Sequence, residues 1–363
     1  MTGVPLPADI ATLDDYERHA AALIDPATWA HIQQDHTAAN RAALARWGLV
    51  PRMLRPLDSG STGTMLFGQA HAAPILLAPV AYQRLAHAQG EVATAQAAAA
   101  LDTALVASTL SSVALETIVQ ALLDAARELQ RPAPPPAWFQ LYVQPDPADT
   151  LALVRRAEAA GYGALVVTVD AAIKRAEFTL PPGVEAANLA GQAPPRHHTH
   201  AHSGQLVFGS ALAAQAPTWD TLAWLRRETT LPLVVKGLLH PDDALRARDA
   251  GADGVIVSNH AGRVLDGVAP ALMLLPAMHA ALGADYPLLF DGGIRSGADV
   301  LKAMALGARA VLVGAPQYHA LAVGGMAGVA HMLHILRTGF ELAMAQCGCT
   351  SVDQITRDLV IAL

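Results

Sequence analysis

The sequence predicts an α/β fold built from repeated parallel βα units. Short apolar runs of strand length, such as residues 233–236 and 254–257, alternate with helical segments. The helical segment between these two runs, residues 241–251, has Pro at its start and Gly at its end, as helices prefer. A polar residue also stands at or just past the end of each run. In a βα barrel those ends form the active-site face.

Length and composition restrict the class of protein. A chain of 363 residues could hold one βα barrel with extensions or two smaller domains. With 53% hydrophobic and 15% charged residues, the bulk of the chain is not expected to be disordered. The net charge of −7 argues against a nucleic-acid partner, which requires a basic face.

The chain shows no signal for export or for a membrane. No apolar run reaches the 18 or more residues of a spanning helix, and residues 1–14 lack the basic and apolar parts of a signal peptide. Cys347 and Cys349 are two residues apart near the end. This pair fits reduced thiols better than a disulfide framework, so we expect a cytoplasmic protein without a membrane.

One stretch, residues 231–315, gathers the chemically active side chains. At or just past the C-terminal ends of its strands lie Lys236, the run Ser258-Asn259-His260-Ala261-Gly262-Arg263, the run 291–295 and Gly314. Because the ends of parallel strands share one face, the fold would bring together an ammonium, an imidazole, two guanidiniums, a carboxylate and a glycine turn. This combination predicts a reaction site.

The run 258–263 resembles the signature Ser-Asn-His-Gly-(Gly/Ala)-Arg-Gln of the FMN-dependent α-hydroxy-acid oxidase and dehydrogenase family, apart from Ala261 and Val264. The family includes glycolate oxidase, lactate oxidase, mandelate dehydrogenase and hydroxymandelate oxidase. The resemblance spans roughly residue 52 to the C-terminus and implies a (β/α)8 TIM barrel with an N-terminal helical extension and a long lid loop after strand 4. We therefore predict a single domain, residues 1–363, with the extension at 1–50 and the lid at 171–217.

Individual elements follow from periodicity and from breaker residues. Residues 16–24 and 26–46 read as two amphipathic helices that are broken at Asp25-Pro26, because a residue before proline disfavours the helical conformation. A hairpin is expected around residues 65–74, a long helix at 322–345 and a short terminal helix at 353–363. The eight barrel strands are expected at 74–81, 104–108, 138–142, 164–170, 233–236, 254–257, 287–291 and 310–314.

The predicted lid contains the histidine-rich run 197–202. Its four imidazoles could bind a transition metal. However, the surrounding Pro, Gly, Ser and Ala residues impose no fixed geometry, and no carboxylate or Cys is near in sequence. We therefore predict a polar lid without a metal site; loops of this length in a barrel are usually lids or disordered.

The resemblance implies FMN as cofactor and assigns residues to it. A strand-end lysine would stabilise the negative charge of the reduced flavin, an aspartate would bond the ribityl hydroxyls, and glycine turns with an arginine would hold the phosphate. The implied cofactor-binding residues are Ala81, Ser108, Gln140, Thr168, Lys236, Ser258, Asp291, Gly293, Arg295 and Gly314.

The resemblance also implies a catalytic set. His260 would be the base for the substrate hydroxyl or α-hydrogen, since the reference pKa of histidine, about 6.5, lies near working pH. Arg263 would bind the substrate carboxylate and Tyr142 would hydrogen-bond the substrate, with Lys236 beside the flavin. Arg175 is the best candidate for a second carboxylate-binding arginine, followed by Lys174.

Further departures from the family pattern lie outside the signature run. His31 occupies the position of a substrate-side tyrosine, and the glycine-rich turn that follows is missing. The arginine segment is shortened at residues 171–176, and Leu110 stands where the family often has Trp. Ala315 replaces an arginine of the last phosphate turn. Loss of one charge-assisted hydrogen bond, roughly 1.5–3 kcal/mol, would weaken FMN binding by about tenfold to a hundredfold.

These observations favour an FMN-dependent 2-hydroxy-acid oxidase or dehydrogenase. It would oxidise an L-2-hydroxy acid, with an aryl or branched side chain as in mandelate, to the 2-keto acid. The electron acceptor would be O2 or another oxidant, and the resemblance implies a homo-oligomer, a tetramer or octamer. The alternative is a diverged barrel of the same family with an altered substrate or without catalysis, acting as a binding protein.

Overall fold

The computed structural model describes residues 5–33, 37–132, 134–173, 178–192 and 207–363. Its strands form an eight-stranded parallel barrel, an antiparallel hairpin and an antiparallel pair of terminal strands. The strands are β1 (Trp47–Leu49), β2 (Thr64–Leu66), β3 (Gln69–His71), β4 (Ile75–Leu77), β5 (Val106–Ser108), β6 (Trp138–Leu141), β7 (Leu165–Thr168), β8 (Leu233–Leu238), β9 (Gly254–Val257), β10 (Leu288–Asp291), β11 (Ala310–Val313) and β12 (Val360–Ala362).

Helices precede the barrel, alternate with its strands and follow it. They are α1 (Leu13–Leu23), α2 (Pro26–Ile32), α3 (Thr37–Ala45), α4 (Glu91–Ala100), α5 (Leu115–Glu128), α6 (Pro147–Ala160), α7 (Ala211–Ala214), α8 (Trp219–Glu228), α9 (Pro241–Asp249), α10 (Ala271–Leu282), α11 (Gly297–Ala305) and α12 (Ala315–Gln346).

The barrel closes between its first and last strands in spatial order. The order is β4-β11-β10-β9-β8-β7-β6-β5, and a parallel bridge between Leu77 and Leu105 joins β5 to β4. The Leu77 amide donates to the Ala104 carbonyl at 3.0 Å. The predicted α/β barrel is therefore confirmed, and all eight predicted strands overlap the observed ones.

Alternation along each strand divides the core into two layers. Leu76, Val166 and Leu312 belong to a cluster that fills the barrel interior. Their immediate neighbours in sequence, such as Leu77 and Val167, belong to the larger cluster that packs against the helices. Because successive strand side chains point to opposite faces, short runs that are apolar at every position fill both layers.

The β2–β3 hairpin closes the N-terminal end of the barrel. Leu66 and Phe67 pack against the interior cluster, and the Trp138 indole donates to Gln69 Oε1 at 3.2 Å. A Cβ on Gly254, at the start of β9, would lie 2.8 Å from the Phe67 ring, so the plug requires glycine there. Because the N-terminal end is filled, only the C-terminal end of the barrel, called the mouth below, can hold polar side chains and a ligand.

The N-terminal extension is helical, as predicted, but it is divided differently. The predicted helix 26–46 is two helices, since α2 ends at Ile32 and α3 begins at Thr37. α1 packs on α12, where the Tyr16 hydroxyl lies 2.9 Å from His331 Nδ1. The extension therefore lies against the barrel's last helix.

The predicted terminal helix 353–363 is wrong. Two short 3-10 turns lead instead into β12, which pairs antiparallel with β1. Val360 is buried, whereas Ile361 and Ala362 are exposed. The pairing partner lies more than 300 residues earlier in the chain. A local pattern cannot reveal it.

Helix α12 is longer than predicted and has a break in it. It spans 32 residues, with non-helical backbone at Gly324 and Gly325, the latter at φ 54°. Contrary to the expectation that no apolar run reaches spanning length, this helix could cross a membrane by its length and composition. Half of its apolar stretch is buried within the protein. A mostly buried core helix can also meet this test of length and composition, so the test alone is weak evidence for a membrane span.

His71, on the hairpin plug, makes stability depend on pH. Burial lowers the pKa of its imidazole from 6.5 to about 4, partly opposed by Asp102. Neither ring nitrogen has a hydrogen-bond partner among the described residues. Between these two values the unfolded chain binds a proton that the folded chain does not, so stability rises with pH in this window.

We therefore expect the free energy of unfolding to fall as the pH is lowered from 7 to 4, with about 3 kcal/mol due to His71. In His71→Leu this contribution disappears, and the pH profile becomes flatter by that amount. Urea unfolding of both proteins across this pH range measures the difference. Parallel profiles would show that His71 binds its proton equally in both states.

Candidate active site

A buried ammonium lies at the centre of the barrel mouth. Lys236 on β8 donates to Ser258 Oγ at 2.8 Å and forms an ion pair with Asp291 Oδ2 at 3.0 Å. Burial alone would lower the pKa of Lys236, but the neighbouring Asp291 and Asp170 outweigh it and raise the pKa. The ammonium therefore stays charged, and the structure brings together three residues assigned to the cofactor.

A bulge in β8 makes room beside this lysine. The register with β9 shifts between Lys236 and Leu238, and the intervening Gly237 has φ 105°. A Cβ on Gly237 would lie 2.5 Å from Asp170 Cγ. Glycine at this position lets the Asp170 carboxyl approach the strand, next to the lysine.

His260 pairs with that carboxylate. Its Nδ1 lies 2.9 Å from Asp170 Oδ1, and its backbone N–H donates to Ser258 Oγ at 3.1 Å. Burial would raise the pKa of Asp170, but His260 and Lys236 hold it below its usual value. Because an ionised carboxylate only accepts hydrogen bonds, Nδ1 must donate, which leaves Nε2 of the neutral ring as an acceptor.

Asp170 was missed as a site residue in the sequence. It lies two residues past the end of β7, where the other strand-end polar residues stand, and this position was the available signal. The sequence could not show that His260, 90 residues later, would meet it. The contact depends on β7 and β8 being neighbours and on the bulge at Gly237.

Tyr142 and Arg263 lie on the same face. Burial raises the pKa of the Tyr142 phenol, Asp170 and Tyr82 add to the effect, and Arg263 opposes it. The phenol therefore stays protonated and can donate. The exposed Arg263 donates to the backbone carbonyl of Ile32, at the end of α2. Its guanidinium thus stands between the N-terminal extension and the barrel mouth.

Gln140 Nε2 and Thr168 Oγ1 are buried near the strand ends and have no hydrogen-bond partner among the described residues. Gln140 Oε1, in contrast, accepts from Ser108 Oγ at 2.9 Å. Leaving a buried polar atom unpaired costs roughly 1–3 kcal/mol, so these atoms indicate a bound polar group at the strand ends. An amide donor, a hydroxyl and the Lys236 ammonium fit the polar edge of a flavin ring.

The phosphate-binding candidates lie at the ends of β10 and β11. Gly292 and Gly293 adopt φ 127° and 82°, and Gly314 precedes the first turn of α12. The guanidinium of Arg295 is mostly buried, and its Nε lies 3.6 Å from Asp14 Oδ1. A positive-φ glycine turn, an arginine and a helix start are suited to a dianion.

The remaining predicted residues divide into two groups. Ala81 is half-buried and lies four residues past the end of β4, and the amide of the next residue, Tyr82, donates to the Leu110 carbonyl. Arg175, Lys174 and the histidine run 197–202 lie outside the described residues.

Part of the predicted lid is packed on the barrel. The Asn188 side chain accepts from the Leu115 amide at 2.8 Å and donates to the Ser108 carbonyl at 3.2 Å. Phe178, nearer the start of the lid, stacks on the His31 ring with centroids 4.2 Å apart and 12° between the planes. These contacts anchor two points of the lid, one of them on α2.

Comparison with known proteins agrees with this geometry. Residues 20–362 match the FMN-dependent dehydrogenase family. An L-lactate oxidase from Alicycliphilus denitrificans is 47% identical, over 97% of each chain. A 4-hydroxymandelate oxidase from Amycolatopsis orientalis is 45% identical over 88% of each chain, and human 2-hydroxyacid oxidase 1 is 37% identical over 96% of this chain and 95% of its own.

Solved structures show the same fold. A mandelate oxidase with bound (S)-4-hydroxymandelic acid superposes with a TM-score of 0.83 at 40% identity, over 96% of this chain and 98% of that one. The match over nearly the whole length includes the barrel, the N-terminal helices and the mouth. The chain belongs to the FMN-dependent dehydrogenase family, whose relatives named here are FMN-dependent 2-hydroxy-acid oxidases.

Proposed function

We propose that this protein oxidises an L-2-hydroxy acid to the 2-keto acid, with His260 as the base and Arg263 holding the substrate carboxylate. The observation that carries the proposal is the pair of His260 and ionised Asp170 beside the charged Lys236. The two groups share Ser258 Oγ, which accepts from the Lys236 ammonium and from the His260 backbone N–H. An oriented imidazole and a nearby positive charge would suit removal of a proton and stabilisation of negative charge on the flavin.

The orientation of His260 determines what it can do. Asp170 accepts the Nδ1 proton, so Nε2 is the atom that can take a proton from the substrate hydroxyl or α-carbon. The imidazolium formed by this transfer lies beside the Asp170 carboxylate, which stabilises it. Asp170 thus acts as a positioning residue that fixes the ring and compensates its charge.

Two further groups suit the substrate. The guanidinium of Arg263 can bind a carboxylate with two parallel hydrogen bonds, and the protonated Tyr142 can donate a third. Arg175 remains a predicted second arginine. Together these groups would fix the carboxylate so that the α-carbon lies in one orientation towards the base.

The strand ends would hold FMN, which when bound would supply the two-electron acceptor for oxidation of the α-carbon, with O2 or another oxidant as the final acceptor. The Lys236 ammonium, held by its ion pair with Asp291, would stabilise negative charge that develops on the flavin ring. Gln140 and Thr168 offer the unpaired polar atoms that would bond it. Gly293, Arg295 and the start of α12 would hold the phosphate.

For the side chain of the substrate we propose an aryl or branched group. Leu110, buried at the end of β5, leaves room where the family often has Trp. The stacked rings of His31 and Phe178 lie next to Ile32, whose carbonyl accepts from Arg263. An apolar and aromatic wall near the carboxylate-binding group favours larger side chains by roughly 0.8 kcal/mol for each buried CH2. L-lactate is the competing substrate, because a 47% identical relative is named L-lactate oxidase.

The role of His260 is tested by His260→Ala and Asp170→Asn. We expect both variants to retain FMN. Flavin reduction by a 2-hydroxy acid should slow by about 100-fold or more in His260→Ala, the usual scale of acid–base catalysis. In Asp170→Asn the base loses its charged partner, and the rate should fall by about 10- to 100-fold. Stopped-flow bleaching measures the rates, and flavin absorbance checks that the cofactor is present. Reduction of His260→Ala at the wild-type rate would exclude it as the base.

The phosphate turn is tested by Ala315→Arg, which restores the guanidinium of the family pattern. We expect the FMN dissociation constant, measured by quenching of flavin fluorescence, to fall by about tenfold, because a charge-assisted bond to the dianion is gained. Ala315→Gln, which adds length without charge, is the matched control. Equal affinity of Ala315→Arg and wild type would mean that another cation already serves the phosphate.

The side-chain preference is tested with four substrates: L-mandelate, L-2-hydroxyisocaproate, L-lactate and glycolate. We expect an aryl or branched substrate to exceed glycolate by about tenfold in kcat/KM, a difference of about 1.4 kcal/mol. Leu110→Trp should reduce kcat/KM for mandelate much more than for lactate, because it refills the pocket. A higher kcat/KM of the wild-type protein for lactate or glycolate than for mandelate would contradict the proposed pocket.

A further inference from the structure

Two asparagines from distant parts of the chain form a closed amide pair. Asn40 Nδ2 donates to Asn259 Oδ1 at 2.9 Å, and Asn259 Nδ2 donates back to Asn40 Oδ1 at 3.0 Å. Both residues are almost completely buried. Asn40 lies on α3 of the N-terminal extension, whereas Asn259 directly precedes His260. A buried reciprocal pair is rigid, because loss of either side leaves unpaired polar atoms.

Asn40 also rests on the glycine turn after β10. A Cβ on Gly292 would lie 3.2 Å from Asn40 Nδ2, and one on Gly293 would lie 2.9 Å from the Asn40 carbonyl carbon. The glycines at these positions therefore let α3 approach the turn closely. One residue of the extension thus contacts the loop that carries His260 and the turn that is the candidate phosphate site.

The loop after β9 needs such support. His260 and Ala261 adopt φ 53° and 56°, the left-handed region that non-glycine residues rarely occupy. Such a residue is strained, and its conformation persists only where the surroundings impose it. At position 261 the family signature has glycine, which adopts this conformation freely, so this chain bears more strain in the loop than the signature implies.

We propose that Asn40 is a positioning residue that couples the cofactor turn to the loop of the base. FMN bound at Gly292–Gly293 fixes Asn40, Asn40 fixes Asn259, and Asn259 holds His260 and Ala261 in the left-handed conformation. The N-terminal extension is therefore part of the active-site machinery. This inference rests on the proposed role of His260, and the coupling itself concerns only cofactor binding and loop conformation.

The test is a double-mutant cycle of Asn40→Ala, Asn259→Ala and the double variant, with Asn40→Asp as an isosteric alternative if an alanine variant does not fold. The first readout is the FMN dissociation constant by fluorescence quenching. We expect Asn259→Ala to raise it about tenfold, although Asn259 bonds to Asn40 and to the Ala269 carbonyl and not to the turn. The double variant should bind FMN no more weakly than either single variant, because all three variants lose the same Asn40–Asn259 pair.

The second readout is hydrogen exchange of residues 258–264 with and without FMN. In the wild type FMN should slow exchange there at least tenfold, and in Asn40→Ala this protection should be lost. Adding Ala261→Gly to Asn40→Ala should restore part of the rate of flavin reduction, because glycine needs no support at positive φ whereas His260 still does. It should not restore FMN affinity. Gln120→Ala, which removes an exposed amide bonded to Asp124, is the control and should change neither readout.

The outcomes separate the two proposals. An unchanged FMN affinity in Asn259→Ala, or additive effects in the double variant, would overturn the coupling. A protein that binds FMN with the expected coupling but oxidises no 2-hydroxy acid would overturn the proposed function and leave the coupling intact. A loss of thermal stability in Asn40→Ala without any change in affinity or exchange would reduce Asn40 to a packing residue and so also overturn the coupling.

Discussion

The active site depends on one electrostatic constraint, the burial of the Lys236 ammonium in the barrel mouth. A buried charge without partners is costly, and removal of one member of a buried pair typically costs about 3–5 kcal/mol. Asp291 supplies the direct ion pair, and Asp170 adds a second negative charge nearby. Asp170 in turn orients His260. The ammonium, the imidazole and the two carboxylates therefore form one network of balanced charges.

The barrel places this network at the C-terminal ends of its strands. Apolar side chains and the β2–β3 hairpin fill the N-terminal end of the barrel interior. The polar groups therefore lie at the C-terminal ends of the strands. Neighbouring strands supply neighbouring groups, because β7, β8, β9 and β10 pair in sequence order. The carboxylate, ammonium, imidazole and second carboxylate thus follow one another around the mouth. Gln140 and Thr168, whose buried polar atoms have no partner in the described part of the chain, are candidates to bond the cofactor.

The N-terminal extension completes the mouth from outside the barrel. Its carbonyl at Ile32 accepts from Arg263, its His31 ring stacks on Phe178 of the lid, and its Asn40 pairs with Asn259. Each of these contacts joins the extension to a loop that follows a barrel strand or to the lid. The barrel thus supplies the charged groups, and the extension fixes loops that the barrel alone leaves exposed.

The sequence by itself determined the barrel, its eight strands and most strand-end residues, because apolar periodicity and parallel pairing act over short stretches. It also carried the signature around His260. However, its local pattern predicted a helix where the structure has strand β12. It also did not predict the contacts of Asp170 with His260 and of Asn40 with Asn259. These features depend on contacts between residues 90 to more than 300 positions apart. Only tertiary packing decided them, since the energy of each contact appears when the barrel closes and not in any local segment.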